Sequence, residues 1–129
     1  MTGMKDGMVP GLTHRQTYVT TLEMRAKQLS SDIFSTPAMI GLMEYTCVLL
    51  VAPYLDENEQ TVGIHVDVRH MAPTKIGQSV TVTADLLEVK DNKLRFALSA
   101  VNDRGIKIGE GTHRRALIDT KSFGGRASQ

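Results

Sequence analysis

The sequence predicts an α+β fold in which a curved antiparallel sheet wraps around one long central helix. Two observations carry this prediction. A single apolar segment spans residues 33–52, and Pro37 and Pro53 limit an uninterrupted helix there to about sixteen residues. After residue 60, apolar and polar residues alternate, which is typical of half-buried strands. Because the helix is apolar on nearly all sides, other elements must cover most of its surface.

The other elements follow from turn signals and alternation. Residues 12–20 predict a first strand, and residues 21–34 predict a short amphipathic helix or a lid-like loop. The polar residues 56–60 predict a solvated loop. Four further strands are expected, over residues 62–70, 79–89, 94–100 and 106–119. The adjacent Leu86 and Leu87 indicate a bulge in the second of these strands.

This order of strand, lid, helix and four-strand meander predicts the hotdog architecture. One small sheet around one helix leaves an open side and unpaired strand edges, so at least a homodimer is expected. The length suits a single domain. We expect a flexible leader over residues 1–11, the folded domain over residues 12–119 and a flexible tail over residues 120–129.

Composition argues against several function classes. The 129 residues are 41% hydrophobic and 22% charged, and the net charge is +1 without a basic block. Neither nucleic acid nor a membrane is therefore expected as a partner. The single cysteine, Cys47, excludes an internal disulfide and is expected to pack as a small hydrophobe. The beginning of the sequence lacks an apolar signal segment, and the helix is short for a bilayer, so a cytoplasmic protein is expected.

Glu44 is the most informative residue of the helix. It is the only charge between Asp32 and Asp56. A buried carboxylate is costly unless it is paired, hydrogen-bonded or neutralised. Buried ionisable groups concentrate at functional sites, so the role of Glu44 depends on which side chain lies opposite it.

Alternation after residue 60 supplies a partner for Glu44. Counting in steps of two from Val62 reaches His70, which predicts an imidazole on the face that meets the helix, while His65 points outward. The residues alone leave two interpretations open. The Glu and His form either a structural pair in the core or a catalytic pair.

Thr36 supplies a hydroxyl upstream of Glu44. Because Pro37 follows it, the hydroxyl also fits a simple helix N-cap. Eight residues of straight helix separate the Cα atoms of Thr36 and Glu44 by about 12 Å. The two side chains share a site in one chain only if the helix begins later, near Gly41, with residues 36–40 folded back.

Several stretches of the sequence resemble the fluoroacetyl-CoA thioesterase family of hotdog proteins. They lie at residues 35–48, 52–55, 63–70, 81–84 and 109–116. The resemblance extends from about residue 35 to 118. Its specific parts are the helix segment Gly41-Leu42-Met43-Glu44 with the later His70, together with the strand segment that contains His113 and Arg115.

The resemblance implies an enzyme that hydrolyses a short-chain acyl-CoA to the carboxylic acid and free CoA. Thr36, Glu44 and His70 fall on the family's catalytic positions, with Glu44 as nucleophile or as the base for water. Gly63 and Arg115 match a backbone amide donor and an arginine close to the acyl group. No cofactor beyond the CoA of the substrate is implied.

Some expectations stay open at this point. The family's fluorine-selecting member has a longer segment rich in Phe and Pro before the helix, whereas residues 20–34 are short and charged here, so fluoroacetyl selectivity is not implied. A hydratase or dehydratase of acyl thioesters and a non-catalytic acyl-CoA-binding protein remain alternatives. His14 and His113 lack a metal-ligand spacing, so no metal is expected. His113 lies either near the site or at the surface.

Overall fold

The computed structural model describes residues 7–127, with five strands and two α-helices in that range. The strands are β1 (Thr13–Val19), β2 (Glu59–His70), β3 (Ser79–Lys90), β4 (Lys93–Asn102) and β5 (Lys107–Asp119). The helices are α1 (Thr36–Val51) and α2 (Thr120–Ala127), with short 3-10 turns at Leu22–Met24 and Ala52–Tyr54. The 16 residues of α1 match the length that the proline positions predict.

The five strands form one antiparallel sheet in the order β1-β3-β4-β5-β2. The prediction of a four-strand meander is wrong, because only β3, β4 and β5 follow one another, and β2 pairs with β5 at the edge. Residues 71–78, which join β2 to β3, bind the lid instead of making a tight turn. Phe34 N–H donates to the carbonyl of Thr74 (2.8 Å), and Ile76 N–H donates to that of Asp32 (3.0 Å).

Helix α1 packs on one face of this sheet, mainly against β1 and β3. Met39, Met43 and Cys47 of the helix are fully buried against strand residues such as Phe96. One sheet packed on one main helix is the hotdog arrangement, so the predicted fold class is confirmed. The helical segment Thr36–Tyr54 is long and apolar enough to cross a membrane by length and composition alone. The core helix of a soluble protein meets the same two criteria.

The bulge predicted in β3 is present. The register with β4 shifts between Leu86 and Glu88, so Leu87 is the extra residue. Leu86 is buried and Leu87 is exposed. The double leucine therefore marks a local break in alternation, as expected.

A second bulge, in β2, is not predicted by the sequence and changes the site. The register with β5 shifts between Gly63 and His65. An extra residue moves all later side chains to the opposite face. Gly63 therefore shares the helix-facing side with His70, and the prediction that Val62 lies on that side is wrong.

Buried side chains and secondary structure extend beyond residues 12–119. Met8, within the predicted leader, is buried in the core. Helix α2 occupies residues 120–127, where a tail is predicted, and Glu59, in the predicted loop, begins β2 and is buried. Residues 1–6 and 128–129 of the predicted leader and tail lie outside the described residues.

Candidate active site

The hydroxyl of Thr36 is available because a different residue caps the helix. Ser35 has extended backbone geometry, and its side chain accepts a hydrogen bond from the N–H of Ala38 (3.2 Å). The interpretation of Thr36 as the N-cap is therefore wrong. Its Oγ1 lies 2.8 Å from Nδ1 of His70, at the end of β2.

The Thr36–His70 pair borders a large cleft. Burial lowers the pKa of His70, so the imidazole is neutral at neutral pH. Its Nε2 is buried and has no hydrogen-bond partner within residues 7–127. The cleft has a volume of about 910 Å³ and is bounded by Thr36, His70 and the lid, including Arg25 and Lys27.

Glu44, on α1, faces strand β5. Its side chain is 38% exposed, so the carboxylate is less buried than the sequence suggests. Oε2 is 3.4 Å from Nη1 of Arg115 and 3.6 Å from Nε2 of His113, both on β5. Arg115 and His113, and not His70, are therefore the neighbours of the carboxylate within one chain.

Arg115 is a buried cation that Thr61 holds in place. Its Nε donates to the hydroxyl of Thr61 and its Nη2 donates to the Thr61 carbonyl, each at 2.8 Å. Burial lowers the pKa of Arg115, but a guanidinium remains charged throughout the physiological range. The site therefore presents a fixed positive charge to the Glu44 carboxylate.

Gly63 allows the backbone of β2 to approach this charged group. A Cβ at Gly63 would collide with Oε2 of Glu44 and would lie 3.1 Å from Cε1 of His113. Only glycine permits such a close approach. The two predicted binding residues, Gly63 and Arg115, therefore lie in one cluster with Glu44.

The structure divides the five predicted site residues into two groups. One group is the Thr36–His70 pair, and the other contains Glu44, Gly63 and Arg115. The prediction that residues 36–40 fold back is wrong, because α1 is helical from Thr36 onward. About 12 Å of helix therefore separate Thr36 from Glu44. No hydrogen bond or ion pair joins the two groups within residues 7–127.

Sequence reasoning missed one member of the second group and left another undecided. Thr61 is not predicted, and His113, predicted to lie either near the site or at the surface, is fully buried beside Glu44. A usable signal exists in β5, where His113, Arg115 and the apolar Leu117 alternate. Leu117 indicates that this face of the strand points inward.

Two other predictions agree with the structure. Cys47 is fully buried, and burial raises the pKa of its thiol to about 12, so it is an inert core residue. His65 is exposed.

Within the described part of the chain, no cluster of three or more His, Cys, Asp or Glu side chains is arranged to hold a metal ion.

Comparison with known proteins identifies the family. The family model described as FlK, fluoroacetyl-CoA-specific thioesterase, matches residues 16–121. The chain belongs to the fluoroacetyl-CoA-specific thioesterase family. It is therefore a thioester hydrolase, which confirms both the resemblance and the prediction of an enzyme.

Individual members of the fluoroacetyl-CoA-specific thioesterase family agree over nearly the whole length. The fluoroacetyl-CoA thioesterase of Streptantibioticus cattleyicolor is 36% identical over an alignment 135 residues long. The alignment covers 98% of this chain and 96% of that protein. A variant of FlK, solved in complex with fluoroacetate and CoA, has a TM-score of 0.85 at 34% identity and covers 90% of this chain and 99% of that one. A hot-dog-like protein from Thermanaerovibrio acidaminovorans (TM-score 0.83, 21% identity, 92% and 89% covered) supports the fold alone.

The contact at Gly63 predicts a loss of activity without a loss of folding. Gly63→Ala is expected to reduce kcat for thioester hydrolysis by about a hundredfold, because the added methyl group displaces the carboxylate of Glu44. The melting temperature is expected to change little, since the colliding atom is the end of the Glu44 side chain and the His113 ring has to give by only a few tenths of an ångström. Kinetics and thermal unfolding measure the two effects.

Gly111→Ala provides the opposite control for this prediction. A Cβ there would meet the backbone of Asp67 and Val68, which cannot move aside. This variant is expected to lose stability, with a melting temperature lower by several degrees. Equal destabilisation of the Gly63 and Gly111 variants would contradict the assignment of Gly63 to the site.

Proposed function

We propose that the protein hydrolyses a short-chain acyl-CoA to the carboxylic acid and free CoA through Thr36, Glu44 and His70, with Gly63 and Arg115 binding the acyl group. The observation that carries the proposal is the fixed Arg115 beside Glu44, with the Gly63 backbone against the same carboxylate. A carbonyl under attack becomes an oxyanion, and preorganised N–H donors stabilise it. The close packing at Gly63 favours a small acyl group over a long one.

The separation of the two groups supports a site shared between two copies of the chain. Along β2, Gly63 and His70 are seven positions apart, one of which is the bulge, so about 20 Å separate them. Along α1, about 12 Å separate Thr36 from Glu44. The Thr36–His70 pair of one chain is therefore too distant to act with the Glu44 of that chain.

The free edge of β2 suits pairing with a second copy. Strand β2 is a 12-residue strand at the end of the sheet order, so one of its edges has no strand beside it within residues 7–127. Ile64 and Val66 on this strand are 48% and 41% exposed. A long apolar edge is normally covered. We therefore propose a homodimer in which the two β2 strands pair antiparallel.

Such pairing brings the two groups together. If the two-fold axis passes through Asp67, Arg69 of one protomer lies opposite His65 of its partner, and the bulge at Ile64 then brings His70 opposite Gly63. Glu44 and Arg115 of that partner then approach the Thr36–His70 pair. Each dimer contains two such sites, because the interface is isologous.

The chemistry at this site has two routes to the same products. The Glu44 carboxylate either attacks the carbonyl carbon, giving an anhydride that water hydrolyses, or it takes a proton from a water that attacks directly. In both routes the C–S bond breaks, the electron pair leaves with sulfur, and water supplies the oxygen of the acid and the proton of the thiol. The hydrogen-bonded Thr36–His70 pair provides a path for that proton.

The remaining expectations are part of the same proposal. We propose that the enzyme needs no metal and no cofactor beyond the CoA of its substrate, that it acts in the cytoplasm, and that it associates with neither nucleic acid nor membrane. The near-neutral net charge supports the expectation that neither nucleic acid nor a membrane is a partner.

A panel of acyl-CoA esters tests the proposed reaction. The protein is expected to release free CoA, detected with a thiol reagent, together with an equal amount of acid, and to prefer acyl groups of two to four carbons. Mass spectrometry of the product separates the alternatives. A hydratase leaves the thioester intact, and a binding protein saturates with acyl-CoA without turnover. Either outcome would overturn the proposal.

A further inference from the structure

His113 has a fixed and unusual environment. The side chain is 0% exposed, and its ring stacks on Phe96 of β4 with a centroid distance of 6.4 Å. Nδ1 lies 2.8 Å from the backbone carbonyl of His65. Nε2 lies 3.1 Å from Nη1 of Arg115. Both ring nitrogens are therefore engaged.

These two contacts define the tautomer of His113. A carbonyl oxygen only accepts hydrogen bonds, so Nδ1 carries the proton. A guanidinium only donates, so Nε2 is unprotonated and accepts from Arg115. Burial lowers the pKa of His113, and Arg115 adds to this effect, while Glu44 and the His65 carbonyl act against it. The ring is neutral at neutral pH.

A neutral His113 is not an ion-pair partner of Glu44. Although its Nε2 is 3.6 Å from Oε2 of Glu44, that nitrogen has no proton to donate. Arg115 is then the only cation at the carboxylate within residues 7–127. Its Nη1 donates to both His113 and Glu44, while Nε and Nη2 donate to Thr61.

We propose that His113 is a positioning residue, which acts as a neutral acceptor and turns Nη1 of Arg115 toward the carboxylate of Glu44. This inference rests on the proposed function, since it assigns a role in preparing Glu44 for reaction. Thr61 holds one side of the guanidinium, and His113 holds the side that faces the reacting group. Without His113, the Nη1 group loses one of its two acceptors and the carboxylate loses its fixed neighbour.

Three substitutions separate this role from simple packing. His113→Gln places an acceptor near the position of Nε2, whereas His113→Asn reaches only the position of Nδ1. His113→Phe keeps the ring and its stacking on Phe96 but accepts no hydrogen bond from Arg115. We expect His113→Gln to retain kcat within about threefold of wild type, and His113→Asn and His113→Phe to lose roughly a hundredfold in kcat with a smaller change in KM.

A measurement without substrate tests the tautomer directly. The chain has four histidines, so the imidazole 15N signals of His113 can be assigned by their absence in His113→Gln. At pH 7 we expect a protonated Nδ1 and an unprotonated Nε2 in the unliganded wild-type protein. A protonated Nε2, or an imidazolium, would overturn the inference, as would equal losses of kcat in His113→Gln and His113→Phe.

The two readouts keep this inference apart from the proposed function. If wild-type protein releases no CoA from any thioester, the proposed function fails. The 15N signals would then still decide whether His113 is the neutral acceptor. If the enzyme is active and all three variants match wild type, the positioning role alone is wrong.

Discussion

Glu44→Gln is expected to reduce kcat for thioester hydrolysis by about a thousandfold or more while the protein stays folded. An amide can neither attack the carbonyl carbon nor take a proton from water, so both routes fail. Stability is expected to change little, because the side chain is 38% exposed and its hydrogen bond to Arg115 is long, at 3.4 Å. The measurements are kcat and the melting temperature.

Glu57→Gln is the matched control for this variant. Glu57 lies in an exposed turn, away from the residues assigned to the site, and its substitution replaces the same carboxylate by the same amide. It is expected to leave kcat and the melting temperature at wild-type values. Activity of Glu44→Gln within tenfold of wild type would contradict the assignment of the carboxylate to the reaction.

The elements that depend on local chemistry are predictable from the sequence. Pro37 and Pro53 bound α1 because proline is restricted in a helix interior. The alternation of apolar residues marks β2 to β5, and Leu86-Leu87 marks the bulge in β3, because a strand with one buried face tolerates a break in period only at an extra residue. These features need no knowledge of distant contacts.

Strand order and the second bulge depend on distant contacts instead. The position of β2 beside β5 rests on pairing between two strands that are far apart in the sequence, which no local pattern encodes. The shift after Gly63 likewise has no signal in composition. A one-residue shift changes the face of every later residue, so alternation predicts the wrong side for Val62, and only the family resemblance assigns Gly63 to the cluster.

The site was predictable where a residue contrasts with its surroundings. Glu44 stands out in an apolar helix, and His70 follows from alternation. Thr61 does not stand out, because polar residues on strands ordinarily face solvent, and His113 is marked only by its alternation with Leu117 on β5. Their burial follows from Arg115, whose charge must be satisfied inside the sheet.

The central claim is that a reaction centre forms only between two protomers, and complementation tests it. His70→Ala and Glu44→Gln are each expected to be nearly inactive as homodimers. In a mixed dimer, Thr36 and His70 of the Glu44→Gln chain face the intact Glu44 of the His70→Ala chain. One of the two sites is then wild type, and the other carries both defects.

The expected recovery follows from the two-fold symmetry. Random exchange of equal amounts gives about half mixed dimers, each with one intact site, so about one quarter of wild-type activity returns. Mixing His70→Ala with Thr36→Ala is the matched control. These substitutions damage the same group, so every site in every dimer stays defective and no activity is expected.

The decisive measurement is therefore CoA release by the two mixtures after subunit exchange. The shared site predicts about one quarter of wild-type activity for His70→Ala with Glu44→Gln, and none for His70→Ala with Thr36→Ala. Absence of recovery in the first mixture, with mixed dimers demonstrated by native mass spectrometry, would contradict the shared site.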